Sequence, residues 1–151
     1  MQNVFDAKDA QEYINRINNL TPETQRKWGK MSVDQVLAHL NVAYDLTFTP
    51  EKFPKPSFIA KFLLSKFVKP KITNEIPYKQ SLPTSPVFII ADERNFEEEK
   101  AKLIGNIQRV QQLGREAFEG KENINFGKMT AQGWNNMFAK HLNHHLDQFG
   151  V

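Results

Sequence analysis

Seven of the eight prolines in this chain fall between positions 50 and 86, at 50, 54, 56, 70, 77, 83 and 86. Proline lacks a backbone N–H, and its ring clashes with the carbonyl one turn back, so no long helix can run through that stretch. The segment is about 45 residues long and must cross the surface in short pieces. The sequence predicts one short helix there, Ser57 to Val68, and one extended run, Pro86 to Ala91. On either side of it the apolar residues recur at helical spacing instead. The chain is thereby divided into two helical halves joined by a long crossover.

The first helix is expected from Asp6 to Asn19, with Ala10, Tyr13, Ile14 and Ile17 on one face and Thr21-Pro22 as its stop. The second opens at Ser32, a residue able to cap free N–H groups, and carries the stripe Val33, Val36, Leu37, Leu40, Ala43, Tyr44 and Phe48. The third starts at Asn95, places Glu97, Glu98 and Glu99 where the helix dipole favours negative charge, and continues through Leu103, Ile104, Ile107 and Val110 to Gly114. The fourth is capped by Thr130 and runs through Trp134, Met137, Phe138, Leu142 and Phe149. Gly-Lys-Met-Ser at 29–32 and Gly-Lys-Met-Thr at 127–130 are the same helix-start signal used twice. Short links at the two ends and a long one in the middle predict an all-α four-helix bundle.

A chain of 151 residues with 40% hydrophobic and 25% charged residues fits a single globular domain over 1–151. A net charge of +3 is too small for a nucleic-acid surface. The first residues lack the basic and apolar regions of a signal peptide, and no stretch approaches the roughly 20 apolar residues of a membrane span. A cytoplasmic protein without membrane contact is expected. There is no cysteine, so thiolate ligands and a cysteine nucleophile are excluded. Histidine and carboxylate are left as the side chains for a transition metal.

The stretch KHLNHHLDQFGV, residues 140–151, holds three histidines, and the only other is His39. At about 100° per residue, His145 falls about 40° from His141, and both join the apolar stripe of the fourth helix; His144 lies about 60° to the other side. His39 sits on a flank of the second helix beside Ala43 and Leu46. Two imidazoles one turn apart can chelate one ion, and a third from a facing helix makes a three-nitrogen set. Zinc, nickel, iron or manganese suits that set, with positions left for water or substrate. A histidine on an apolar face is also commonly just a hydrogen-bonded core residue. The glutamate of the HExxH zinc-protease motif is missing. Gln148, one turn beyond the pair, and Gln35, one turn before His39, are candidates for orienting ligands or substrate.

The segments TPETQRKWGKMSVDQVLAHLNVAYD, LPTSPVFIIADERNFEEEKAKL and FGKMTAQGWNNMFAKHLNHHLDQFG resemble the DinB/YfiT-like superfamily, and within it the DUF1569 family. The resemblance covers nearly the whole chain. It implies an up-down-down-up bundle with the long crossover between the second and third helices. It also implies metal ligation by His39, His141 and His145, with Gln148 completing a His-x-x-x-His-x-x-Gln pattern. Some relatives are transferases or isomerases that use a low-molecular-weight thiol, whereas the DUF1569 branch supplies no reaction to carry over.

The expected function is a metal-dependent enzyme acting on a small molecule, either a hydrolase or a thiol-dependent transferase, with the divalent ion activating water or thiol. The alternative is a non-catalytic module that binds a metal or small molecule. No catalytic side chain is assigned, and a homodimer through the crossover is open. The basic stretch SFIAKFLLSKFVKPK, residues 57–71, also reads as an amphipathic surface helix at a membrane, but Phe58, Phe62 and Phe67 are expected to cover the bundle as a lid instead.

Overall fold

The computed structural model describes residues 1–151. The chain is mostly helical. It runs α1 (Ala7–Asn18), α2 (Val33–Phe48), α3 (Phe58–Leu63), α4 (Lys69–Thr73), α5 (Phe96–Leu113) and α6 (Ala131–Phe149). Local chemistry sets where these helices begin. The Asp6 carboxylate accepts from the Lys8 and Asp9 N–H groups, Asn95 Oδ1 from Glu98 N–H, and Thr130 Oγ1 from Gly133 N–H. α2 opens with a capping box in which Gln35 Oε1 accepts the Ser32 N–H at 3.0 Å.

Polar contacts reveal how the long helices run. Between α2 and α5, Asn41 Nδ2 donates to the Glu99 carbonyl, Asn106 Nδ2 donates to Asn41 Oδ1, and Lys102 pairs with Asp45 at 2.7 Å. Further along, the Arg109 guanidinium lies 4.0 Å from the Phe48 ring centroid. The pairs Asn41/Glu99, Asp45/Lys102 and Phe48/Arg109 climb together, so α2 and α5 are parallel. α1 and α6 are also parallel: Val4 N–H meets Asn135 Oδ1, and Arg16 reaches Asn143 and Asp147. α2 is antiparallel to α6, with Tyr44 stacked on Phe138 at 4.7 Å and His39 beside His141 and His145. α1 is antiparallel to α5, since Lys100 donates to the carbonyls of Asn18 and Leu20 while Phe5 packs on Phe118 beyond the end of α5.

Trp134, Tyr13, Phe118 and Phe138 are the largest fully buried side chains of the core. They are ringed by Ile14, Ile17, Leu37, Leu40, Leu103, Ile107, Leu142 and Leu146, so all four long helices contribute the faces that their periodicity predicts.

The connecting segments differ from expectation in several places. The helix expected over Ser57–Val68 continues to Thr73, because Leu64–Val68 winds as a π turn that feeds directly into α4. Pro70 falls in the first turn of α4, directly after the π turn. Pro86–Phe88 is a 3₁₀ turn rather than an extended run. The all-α expectation also missed a small antiparallel ladder, β1 (Glu122–Asn123) with β2 (Gly127–Lys128). Asn123 Oδ1 closes its turn by accepting the N–H groups of Asn125 and Phe126. Nor do Phe58, Phe62 and Phe67 cover the helices as a lid: they are 86%, 56% and 57% exposed. The inner face of that helical stretch is taken by Leu64, Val68 and Ile72, which pack on the core. No helix is long and apolar enough to cross a membrane.

Phe118 is fully buried between the rings of Phe5, Phe48, Trp134 and Phe138. Phe118→Ala should therefore lower unfolding free energy by about 3–5 kcal/mol in a urea titration, without altering metal uptake. A loss below about 1 kcal/mol would show that the site collapses freely around the cavity.

Candidate metal centre

Three imidazoles converge where α2 and α6 cross. His39, His141 and His145 each offer one ring nitrogen, and these nitrogens all lie within 4.8 Å of one another. The ring centroids are 4.6 to 5.0 Å apart. His39 and His145 are buried, whereas His141 keeps part of its surface open. Histidine spacing on α6 brings this about: the i, i+4 pair projects from one face, and the antiparallel α2 brings His39 opposite.

Hydrogen bonding sets which nitrogen of each ring faces inward. His39 Nδ1 lies 2.8 Å from the Phe88 carbonyl oxygen. A carbonyl only accepts, so Nδ1 carries the proton and the Nε2 lone pair is directed to its neighbours. His145 Nδ1 lies 2.8 Å from Gln148 Oε1. The amide orientation of Gln148 is fixed by its other end, where Nε2 donates to the Trp28 carbonyl at 2.8 Å. His145 is therefore also protonated on Nδ1, with a free Nε2 lone pair. His141 Nε2 stands 2.9 Å from His39 Nε2. Two lone pairs cannot face each other at that distance unless a proton or a cation lies between them.

The donor set fits a transition ion. With metal–nitrogen bonds of about 2.0–2.1 Å, tetrahedral ligand nitrogens are about 3.3 Å apart. The observed limits of 2.9 and 4.8 Å bracket that separation. Burial pushes the imidazoles toward the neutral form that coordinates. Desolvation holds His39 below its usual range and His141 well below it, with the neighbouring histidines adding to the effect on His141. His145 is pushed down to about 3, chiefly by desolvation and then by His39. No other group of three or more such side chains in the chain comes close enough to hold an ion.

The other candidates separate by geometry. His144 is not part of the triad: its ring packs edge-on against His145 at 4.9 Å and against Trp28 and Tyr78 at 6.1 and 5.8 Å. It lines a cavity of about 460 Å³ with Lys140 and Asn143. Gln148 supports His145 directly. Gln35, read from the sequence as a neighbour of His39, does not reach the histidines. Its first-turn position engages it with Ser32 N–H and the Asp92 carbonyl, so it braces the loop that carries Phe88.

Two contributors escaped sequence reasoning because they are backbone carbonyls, those of Phe88 and Trp28. A third, Gly29, had a partial signal in the repeated Gly-Lys-Met. Its φ is +82°, and a Cβ there would stand 2.4 Å from Gln148 Nε2. The backbone angle favours glycine, and a side chain there would push the Gln148 amide aside.

Fold and site together define a mostly helical protein whose three neutral imidazoles can hold a metal ion. The chain belongs to the DUF1569 family, described as "Protein of unknown function (DUF1569)", whose sequence profile matches residues 2–150. No curated protein and no solved structure matches it.

Gly29→Ala should displace the Gln148 amide and release the His145 ring. Metal affinity should fall about 10- to 100-fold, the effect usual for disturbing an outer partner of a ligand, as read by competition with a chromogenic chelator. Unchanged affinity would show that Gln148 does not hold His145 in its binding orientation.

The depressed histidines also set an acid response. The unfolded chain takes up protons as pH falls through the ordinary value of 6.5, while folded His145 resists until about 3. Their contribution to stability is complete above pH 6.5 and declines as pH drops through that window. Urea midpoints of chelator-treated protein should fall between pH 7 and about 5, before most carboxylates titrate, and His145→Gln should flatten that slope. A midpoint independent of pH in that range would contradict the burial of neutral imidazoles.

Proposed function

We propose that this chain is a metal-dependent enzyme of the DinB/YfiT-like kind, with His39, His141 and His145 as the ligands of one divalent ion. The four long helices are read as an up-down-down-up bundle, a reading supported by the parallel pairs α1/α6 and α2/α5. Zinc or nickel suits the nitrogen set first, and iron or manganese next. The substrate is a small molecule, and a low-molecular-weight thiol suits the site as substrate or co-substrate. The reaction class is hydrolysis or thiol transfer. When bound, the ion supplies Lewis acidity that lowers the pKa of water or thiol and polarises a substrate atom.

The observation that carries this reading is the tautomer pattern. Phe88 and Gln148 each occupy the outer nitrogen of a histidine, which leaves the inner lone pairs of His39 and His145 directed at the same point as His141 Nε2. The protein thereby supplies three neutral ligands and no carboxylate. A centre built that way keeps the whole charge of its cation, which favours an anionic incoming ligand such as thiolate or hydroxide. Of the three ligands, His141 is the one that keeps some surface open to solvent.

One observation favours the alternative, a metal- or small-molecule-binding module without turnover. No carboxylate or other general base stands in the cluster, so nothing there except histidine can move a proton. Thiol-transfer and hydrolytic assays on metal-loaded protein separate the two readings.

Elemental analysis of untagged protein should give about one transition ion per chain, as three converging imidazoles suit one ion. His39→Ala, His141→Ala and His145→Ala should each remove most of the affinity. His144→Ala should retain occupancy, with at most the tens-fold loss of an outer partner. Protein that holds no ion and takes up neither zinc nor nickel would sink the proposal, and metal loss confined to His144→Ala would reassign the chelating pair.

A further inference from the structure

α3, the π turn and α4 form one helical stretch that is apolar on two opposite sides. Its inner side is committed, with Leu64, Val68 and Ile72 packed on the core. It is also pinned there by polar contacts. Lys61 pairs with Glu122 at 2.8 Å, and Lys69 Nζ donates to the carbonyls of Phe126 and Lys128. The outer side presents Phe58 (86% exposed), Ile59 (71%), Phe62 (56%), Leu63 (47%) and Phe67 (57%). They recur at helical spacing and form one stripe facing solvent. Rolling the helix to bury that stripe would expose Leu64, Val68 and Ile72 and break three polar ties. The stripe is not a displaced lid.

Within the segment itself the charge is of one sign. From 52 to 74 the chain contains lysines 52, 55, 61, 66, 69 and 71 and no acidic residue. Lys61 and Lys69 are used internally, but Lys52, Lys55, Lys66 and Lys71 take part in no ion pair. Lys66 Nζ lies 5.9 and 5.6 Å from the ring centroids of Phe62 and Phe67. Large exposed apolar patches mark an interaction surface, and a helix with aromatic residues flanked by lysines is built to lie in a lipid headgroup layer. A second copy of the chain fits less well. A two-fold contact through this stripe would bring lysines against lysines.

We propose that the face formed by residues 52–71 docks on an anionic lipid bilayer. Phe58, Ile59, Phe62, Leu63 and Phe67 enter the headgroup region while Lys52, Lys55, Lys66 and Lys71 meet the lipid charges. The protein then associates peripherally and spans nothing.

Co-sedimentation with vesicles of equal parts phosphatidylcholine and phosphatidylglycerol tests this. The protein should bind them and should bind pure phosphatidylcholine at least about ten times more weakly, since surface lysines are drawn to anionic headgroups. The double variant Phe58→Asp/Phe62→Asp should lose binding by about tenfold or more, since each aromatic ring withdrawn from lipid forfeits its burial. Its circular dichroism and metal content should match the parent, because both rings are at the surface. Lys52→Ala/Lys55→Ala/Lys66→Ala/Lys71→Ala should weaken binding to the anionic vesicles and leave neutral-vesicle binding unaltered. Failure of the parent protein to sediment with anionic vesicles would overturn the proposal. So would binding insensitive to the aspartate substitutions, or a concentration-dependent dimer in light scattering that Phe62→Asp abolishes.

Discussion

The parallel pairing of α2 with α5 is the constraint from which the rest follows. Two consecutive parallel helices require a connection that travels back along the whole length of the first, roughly 24 Å for sixteen residues. A short hairpin loop cannot do this. The proline-rich segment does, and in returning it delivers Phe88 over the middle of α2, where its carbonyl meets His39. The same path lays α4 beside α6, where Asn136 and Lys140 donate to the carbonyls of Thr73 and Lys71. The pairing itself is held by polar groups that apolar packing alone would not specify, among them buried Asn41, shared between Glu99 and Asn106. Such a ladder has one satisfied arrangement.

The histidine cluster shows a second consequence of that topology. Imidazoles are poor core residues, since a buried ring must find partners for both nitrogens. Here the crossover and the segment before α2 furnish the outer partners: one a carbonyl directly, the other a carbonyl relayed through Gln148. What remains inward is a concentration of lone pairs in a dry place. Desolvation keeps protons off them, so the same burial that makes the cluster expensive also keeps it receptive to a cation. The cost and the capacity have one cause.

How much of this could be read from the sequence depends on whether the information resides in side-chain type. Helix starts were legible because Asp6, Asn95 and Thr130 announce themselves chemically, and the inward phase of His141 and His145 because it follows from apolar spacing. The crossover was legible as a crossover from its prolines. What it does inside was not. A π turn adds one residue to a helical turn without any compositional mark, so the stretch ran on to Thr73. A helix apolar on two sides does not say which side meets the core, and the lid reading chose the wrong one for Phe58, Phe62 and Phe67. Gln35 was placed by its distance from His39 along α2, but an amide in a first turn has unsatisfied N–H groups closer to hand. The carbonyls of Phe88 and Trp28 carry no residue-type signal at all, since every residue has one.

Arg16 stands on the far side of α6 from the histidines, where its guanidinium grips Asn143, Asp147 and the Val151 carbonyl. Asn143 and Asp147 lie about 200° around the helix from His141 and His145 respectively. Holding them fixes the rotation of α6 about its own axis. A turn of about 100° would bring His144 to the angle now held by His145. α6 therefore carries one more imidazole than its inward face uses, and the choice among the three, set by the buried apolar stripe, is reinforced from behind by a side chain that touches none of them. In mutational terms, the identity of the chelating pair is a property of the α1–α6 contact as much as of the histidines themselves.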